Sequence, residues 1–171
     1  MDIRSILIIA NIRCGGTYLS HQLAKTYDLK LIFEPGTLGD FKFPVVVKAN
    51  AGMFHPDSLC EYSKKFKTVI LLDRRNRDEH LESAMALAQT RDNKVEWAWK
   101  DEYDQPHIRE IGIKYLNRHT GVLKEVSSKL NIPINYYEDI YQGGKEIPGV
   151  IFKPNLSKKL RRSDPGKETL L

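Results

Sequence analysis

Cysteine is scarce in this sequence, and long hydrophobic runs are missing. Cys14 and Cys60 are the only two cysteines, and their separation does not match a metal-ligand motif. So few thiols are typical of a protein kept in a reducing compartment. The longest apolar run, Ile6–Ala10, is far too short to span a membrane, and Met1–Ser5 is unlike the start of a secretory signal. These absences predict a cytoplasmic protein without a membrane span.

The composition describes an ordinary globular chain with an excess of positive charge. Hydrophobic residues make up 41% and charged residues 29% of the 171 residues, a length that can fold around one core. We expect a single domain over residues 1–156 and a basic, mobile tail over residues 157–171. The net charge of +5 predicts an anionic partner, and charge alone leaves nucleotides, nucleic acids and acidic surfaces open.

Apolar strands alternate with helical patterns along most of the chain. The predicted strands are continuously apolar, which is typical of a parallel sheet that is covered on both faces. The predicted strands are Ser5–Ala10, Leu29–Phe33, Pro44–Lys48, Lys67–Asp73 and Ile134–Tyr137, and the predicted helices are Thr17–Tyr27, Pro56–Lys65, Asp78–Gln89 and Val95–Leu130, the last with a break near Pro106. The pattern predicts an α/β three-layer sandwich with a central parallel sheet flanked by helices.

A short glycine-containing loop, Arg13-Cys-Gly-Gly-Thr17, joins the first strand to the first helix. Glycines let backbone N–H groups approach an anion, a helix N-terminus adds partial positive charge, and Arg13 adds a full one. The loop is therefore a predicted phosphate cradle. It is not the common nucleoside-triphosphate loop, which needs a lysine after its last glycine, because here Thr17 follows Gly16 directly.

Charged residues also follow the other predicted strands. Glu34 follows the second strand, Lys48 ends the third, and Arg74 and Arg75 follow the fourth. Open α/β sheets bind ligands at the carboxyl ends of their strands, so we expect these groups to share one rim with Arg13. Such a rim suits a polyanionic ligand and one acid–base group. No nucleic-acid partner is expected, because the basic residues do not form a stripe interleaved with aromatic residues.

Four motifs, taken in order, resemble those of the sulfotransferases that use 3′-phosphoadenosine 5′-phosphosulfate (PAPS). They are the 5′-phosphosulfate loop at Arg13–Leu19, the lysine-containing strand end at Val47–Asn50, the 3′-phosphate site at Arg75 and, eight residues later, Ser83, and the late Tyr-Glu-Asp-Leu strand end at Asn135–Ile140. The resemblance covers Ile6–Ile140 and implies a P-loop nucleotide-transferase-like fold. It also implies transfer of a sulfuryl group from PAPS to a hydroxyl or amine acceptor.

The resemblance implies a role for each of these residues. The donor would be bound by the loop residues Arg13, Cys14, Gly15, Gly16, Thr17 and Tyr18, with its 3′ phosphate held by Arg75 and Ser83. A guanidinium fork and a hydroxyl together can bind a phosphate dianion. Arg13 would stabilise charge on the leaving 5′ phosphate, and Lys48 would lie near the sulfuryl group. The donor would leave as adenosine 3′,5′-bisphosphate (PAP), and no metal is expected.

The chain departs from the family pattern at the catalytic base. Asn50 stands where many relatives carry a catalytic histidine, and relatives without that histidine use a glutamate just after the second strand, where this chain has Glu34. Glu34 would therefore take the acceptor proton, with Lys48 and His55 as alternatives. The family's C-terminal nucleotide clamp has no clear counterpart, and the basic cluster Lys158–Arg162 would be either its replacement or a solvated tail.

Two other functions are compatible with the sequence. The short chain and Asn50 agree with a catalytically reduced domain that binds PAPS or PAP without turnover. A small-molecule kinase agrees less well, because the loop lacks its lysine and no clear Mg²⁺-binding pair is present. The sequence does not identify the acceptor.

Overall fold

A computed structural model of the chain describes residues 5–41, 44–90 and 105–147. The strands are β1 (Ser5–Ala10), β2 (Lys30–Phe33), β3 (Val45–Asn50), β4 (Thr68–Asp73) and β5 (Ile134–Tyr136), and the helices are α1 (Gly16–Tyr27), α2 (Pro56–Ser63), α3 (Arg77–Thr90) and α4 (Gln105–Leu130). A 3₁₀ turn follows β3 at Ala51–Met53, and a π turn follows β5 at Glu138–Gln142. The predicted tail and its cluster Lys158–Arg162 lie outside the described residues.

The five strands form one parallel sheet in the order β2-β3-β1-β4-β5. β1 is central and its residues from Ile6 to Ala10 are fully buried. β3, beside it, is buried along its whole length. The predicted α/β architecture, a parallel sheet with helices around it, is confirmed.

The two faces of β1 supply two separate cores. Successive side chains of a strand point to opposite faces, so alternate residues of β1 enter different layers. One layer joins Ile6, Ile8 and Ala10 to Leu19 and Leu23 of α1. The other layer joins Leu7 and Ile9 to Leu59 of α2 and to Leu123 and Val126 of α4. The sheet therefore lies between α1 on one side and α2 and α4 on the other.

The end of β3 differs from the sequence prediction for a physical reason. β3 continues two residues beyond Lys48, because Ala49 and Asn50 pair with Ile9 and Ala10 of β1. The predicted helix Val95–Leu130 is present as α4 from Gln105 onward, and its predicted part before Gln105 lies outside the described residues. Within the described part of the chain, none of the helices has the length and apolar character needed to cross a membrane.

Candidate active site at the carboxyl ends of the strands

The chain leaves the neighbouring strands β1 and β4 toward opposite edges of the sheet. After β1 the chain passes through α1 to β2, on the β3 side of the sheet, whereas after β4 it proceeds toward β5 on the opposite side. Such a switch point opens a crevice beyond the strand ends, where open α/β sheets bind ligands. The loops that follow β1 and β4 lie at these strand ends and carry the predicted site residues Arg13 and Arg75.

The loop after β1, which the sequence predicts to bind a phosphate, contains two left-handed residues. Arg13 has a φ of 53° and Gly15 a φ of 84°, both in the left-handed region. Left-handed residues in such turns direct neighbouring N–H groups to one side. α1 begins at the next residue, Gly16, and no side chain of the described residues caps its N-terminus. The positive end of the helix dipole therefore faces the loop without a built-in anion.

The remaining loop residues divide between the core and the surface. Cys14 is fully buried, and burial raises the pKa of its thiol to about 12, so it stays protonated and donates to the Asn11 carbonyl at 2.8 Å. Tyr18 is half-buried against the edge of the Tyr141 ring, with 6.0 Å between centroids. Thr17 is exposed. Cys14 and Tyr18 thus support the loop's shape, whereas Thr17 lies at its open surface.

Arg13 and Ser83 form a hydrogen bond between the loop after β1 and α3. The Arg13 Nε donates to the Ser83 hydroxyl at 3.1 Å, although the two residues are 70 positions apart in the chain. Ser83 lies on α3, and Arg13 lies in the loop before α1. The contact brings together one residue from each of the two predicted phosphate motifs.

Arg75, predicted to hold a 3′ phosphate together with Ser83, forms its side-chain hydrogen bonds with an acidic residue. Its guanidinium forms two parallel hydrogen bonds with the Asp139 carboxylate, Nη1 to Oδ1 at 2.5 Å and Nη2 to Oδ2 at 2.8 Å. The guanidinium also lies over the Tyr136 ring, 4.2 Å from its centroid. Hydrogen bonding from Arg75 lowers the pKa of Asp139, which keeps that carboxylate charged. In this structure Arg75 is bonded to Asp139 and Ser83 to Arg13.

Lys48 and Glu34 form a short ion pair at the rim. Lys48 Nζ lies 2.5 Å from Glu34 Oε1 and 2.5 Å from Asn50 Oδ1, with the lysine side chain almost fully buried and the glutamate partly exposed. The pairing of β2 with β3 produces this geometry, because Phe33 lies opposite Lys48 and the next amide, that of Glu34, donates to the Lys48 carbonyl at 2.8 Å. A carboxylate and an ammonium are thus held together where two strands end.

The side chain of Lys48 passes the start of α1 before its ammonium reaches this ion pair. A methyl group at Gly16 would lie 3.3 Å from Lys48 Cε and 3.0 Å from Ala10 Cβ, so the helix starts in close contact with the lysine stem. The ammonium also lies 5.1 Å from the centroid of the Phe33 ring. Glu34, Lys48 and the start of α1 therefore lie close together.

The other candidate bases have structural partners. His55 is the N-cap of α2, where its Nδ1 accepts from the Asp57 amide at 3.3 Å while most of the ring is exposed. Asn50, at the position of the family histidine, presents its carbonyl oxygen to Lys48. Glu34, by contrast, is a carboxylate in direct contact with Lys48.

Sequence reasoning missed a buried polar network behind the crevice. Asp73, at the end of β4, accepts hydrogen bonds from Asn11 at 2.9 Å, from Thr120 at 2.8 Å and from Arg77 at 3.0 Å. Burial opposes ionisation of Asp73, but hydrogen bonds from Arg77 and from the Arg74 amide outweigh it and lower the pKa. A carboxylate at the end of an apolar strand is the signal that could have identified it.

His119 was also missed, and the sequence contains no signal for it. Its ring is fully buried on α4, its Nδ1 accepts from the Gly52 amide at 3.0 Å, and its centroid lies 4.6 Å from that of Tyr115. Burial and the nearby Lys48 charge lower its pKa to about 4, so the imidazole is neutral at physiological pH. Its Nε2 is buried without a hydrogen-bond partner among the described residues.

Comparisons of the chain with protein-family models, with curated proteins and with solved structures found no match.

Proposed function

We propose that this protein is a sulfotransferase that moves a sulfuryl group from PAPS to a hydroxyl or amine acceptor. The observation that carries the proposal is the contact of Lys48 with both Glu34 and the start of α1. A domain that only binds a nucleotide needs cations and a phosphate loop, but it does not require a carboxylate held beside them. A group-transfer enzyme needs that carboxylate as a base for its acceptor.

The donor would be bound through its charge. Its 5′ phosphosulfate would lie at the uncapped N-terminus of α1, beside Arg13, where N–H groups and the helix dipole favour an anion. Ser83, which already contacts Arg13, and Arg75 would contribute to the 3′-phosphate subsite. These groups fit PAPS because they offer one cation from the loop after β1 and another from the loop after β4.

The transfer step would use charged side chains that the fold already holds at the strand ends. The acceptor oxygen or nitrogen attacks sulfur while the bond from sulfur to the bridging phosphate oxygen breaks, and PAP leaves with the electron pair of that bond. Glu34 takes the acceptor proton. Arg13 and the α1 N-terminus stabilise the charge that develops on the 5′ phosphate, and Lys48 stabilises the charge on the transferring group.

The proposal predicts a loss of transfer without a loss of binding in Glu34→Gln. Glutamine keeps the shape of the side chain and an oxygen for Lys48 but cannot accept the proton. General-base catalysis typically contributes about 10²–10⁴ in rate, so sulfuryl transfer should fall by that factor while PAP binds nearly as well as in the parent. Transfer of radiolabelled sulfate over an acceptor panel, together with calorimetric PAP binding, measures both quantities.

The control is Glu61→Gln, which removes the same charge from the exposed ion pair with Lys64 on α2. It should leave both transfer and binding unchanged. Full transfer by Glu34→Gln would remove Glu34 as the base and leave Lys48 or His55 in that role. Tight PAP binding by a parent protein that transfers sulfate to none of the acceptors would support the binding-domain alternative.

A further inference from the structure

Asp139 occupies the binding surface of an arginine that the proposed nucleotide site needs. Its two carboxylate oxygens meet the two terminal nitrogens of Arg75 at 2.5 and 2.8 Å, the fork-to-fork geometry that a guanidinium also offers to phosphate. Lys145 adds a second cation, 4.0 Å from Asp139 Oδ2. The pair lies at the surface, with the Arg75 side chain 54% exposed, so a dissolved anion can reach it.

The backbone around this pair is held by other contacts. The Glu138 carboxylate accepts from the amides of Arg75 and Asn76 at 3.0–3.1 Å, which ties the loop after β4 to the π turn. The turn itself is closed by a hydrogen bond from the Gly143 amide to the Glu138 carbonyl at 2.9 Å. The side chains of Arg75 and Asp139 can therefore separate by rotation while both backbones stay in place.

We propose that Asp139 is an internal substitute for the 3′ phosphate, which displaces it when the nucleotide binds. This inference rests on the proposed function. A phosphate dianion carries more charge than a carboxylate and can form the same two hydrogen bonds, so it can replace Asp139 on Arg75. A ribose hydroxyl offers neither the charge nor the fork geometry. Asp139 therefore sets the affinity for nucleotides with a 3′ phosphate and has no effect on nucleotides that lack one.

The same competition acts on the product. PAP keeps the 3′ phosphate after transfer. When PAP leaves, Arg75 and Asp139 pair again, and the free energy of this ion pair favours dissociation. Product release limits turnover in many enzymes. Asp139 thus weakens PAP binding and shortens the lifetime of the product complex.

The test is calorimetric titration of the full chain and of Asp139→Asn with PAP and with adenosine 5′-monophosphate (AMP). Removing the competing carboxylate should tighten PAP binding by up to about fivefold, the range expected for an exposed ion pair, and should leave AMP binding unchanged. In an Arg75→Ala background the Asp139→Asn change should have no effect on PAP, because the group for which the two anions compete is gone. Stopped-flow displacement of PAP should show slower release from Asp139→Asn.

The control is Asp57→Asn, which makes the same chemical change in the exposed pair with Lys129 and so measures the effect of one lost negative charge. The inference would be overturned if Asp139→Asn bound PAP no more tightly than Asp57→Asn, or more weakly than the parent. The proposed function would still stand. In that case Asp139 orients Arg75 instead of competing for it. A parent protein that does not bind PAP would overturn the proposed function, and the inference with it.

Discussion

At the residue scale, the loop before α1 contains two residues in the left-handed region, Arg13 and Gly15, which most residues with a side chain avoid. Gly15 has a φ of 84°, and a methyl group there would lie 2.4 Å from Cε2 of the buried Tyr141 ring. The hydroxyl of that ring donates to the Gly15 carbonyl at 2.8 Å, so the ring cannot move aside without losing this bond. Any other residue at position 15 would therefore have a strained backbone and would overlap with the Tyr141 ring.

Gly15→Ala should destabilise the protein by about 1–3 kcal/mol, because it adds left-handed strain and a steric overlap. It should also weaken PAP binding, since the loop would lose its geometry. The matched control is Gly121→Ala in α4, where a methyl group meets open space and removes the entropic cost of a helical glycine. That variant should be more stable by up to about 1 kcal/mol. Urea unfolding measures both changes, and an unaffected Gly15→Ala would contradict this reading of the loop.

At the scale of elements, Asp73 connects four segments of the fold. It ends β4 and accepts from Asn11 after β1, from Arg77 at the start of α3 and from Thr120 in α4. Thr120 in turn accepts from Arg77 at 2.7 Å, which closes the network. A buried polar network of this kind stabilises only when its members are all paired, so removing one member costs more than that member's own hydrogen bonds.

Asp73→Asn should therefore reduce the free energy of unfolding by about 2–3 kcal/mol. This is below the 3–5 kcal/mol expected for a fully buried pair, because the Arg77 side chain is 38% exposed. Asp78→Asn, which breaks the exposed pair with Arg109, should change stability by about 0.5 kcal/mol or less. Equal effects of the two substitutions in chemical denaturation would show that Asp73 does not organise the crevice.

At the scale of the whole molecule, buried histidines make folding sensitive to acid. Burial lowers the pKa of His80 and, together with Lys48, lowers that of His119 to about 4, from an ordinary value of 6.5. Below pH 6.5 the unfolded chain binds a proton at position 119 that the folded chain does not. Stability therefore falls as the pH is lowered from 6.5 to about 4 and is fully retained above 6.5.

The contribution of His119 to this loss should be about 3 kcal/mol, at about 1.4 kcal/mol for each pH unit. His119→Asn keeps an acceptor for the Gly52 amide but has no titrating group. It should therefore be less stable than the parent at pH 7.5, because of lost packing, yet show a flatter profile between pH 6.5 and 4.5. Thermal unfolding at several pH values gives both results. His21→Asn, on the exposed face of α1, should keep the parent profile.

Much of the fold could be predicted because its signals are local. The apolar runs that became β1, β3 and β4 are short and continuous, and Gly15 and Pro56 mark helix starts beside them. The positions of Arg13, Glu34 and Lys48 at strand ends also followed from those runs. The extension of β3 to Asn50 did not, because it depends on pairing with β1.

The sequence by itself determined which residues would stand at the carboxyl ends of the strands, because hydrophobic periodicity and turn residues act over a few positions. The tertiary structure decided which of those residues meet. The order β2-β3-β1-β4-β5 brings Glu34 to Lys48, and the packing of the loops brings Arg13 to Ser83 and Arg75 to Asp139. Contacts between residues that are 14, 70 and 64 positions apart depend on strand order and loop packing, and no local pattern encodes either.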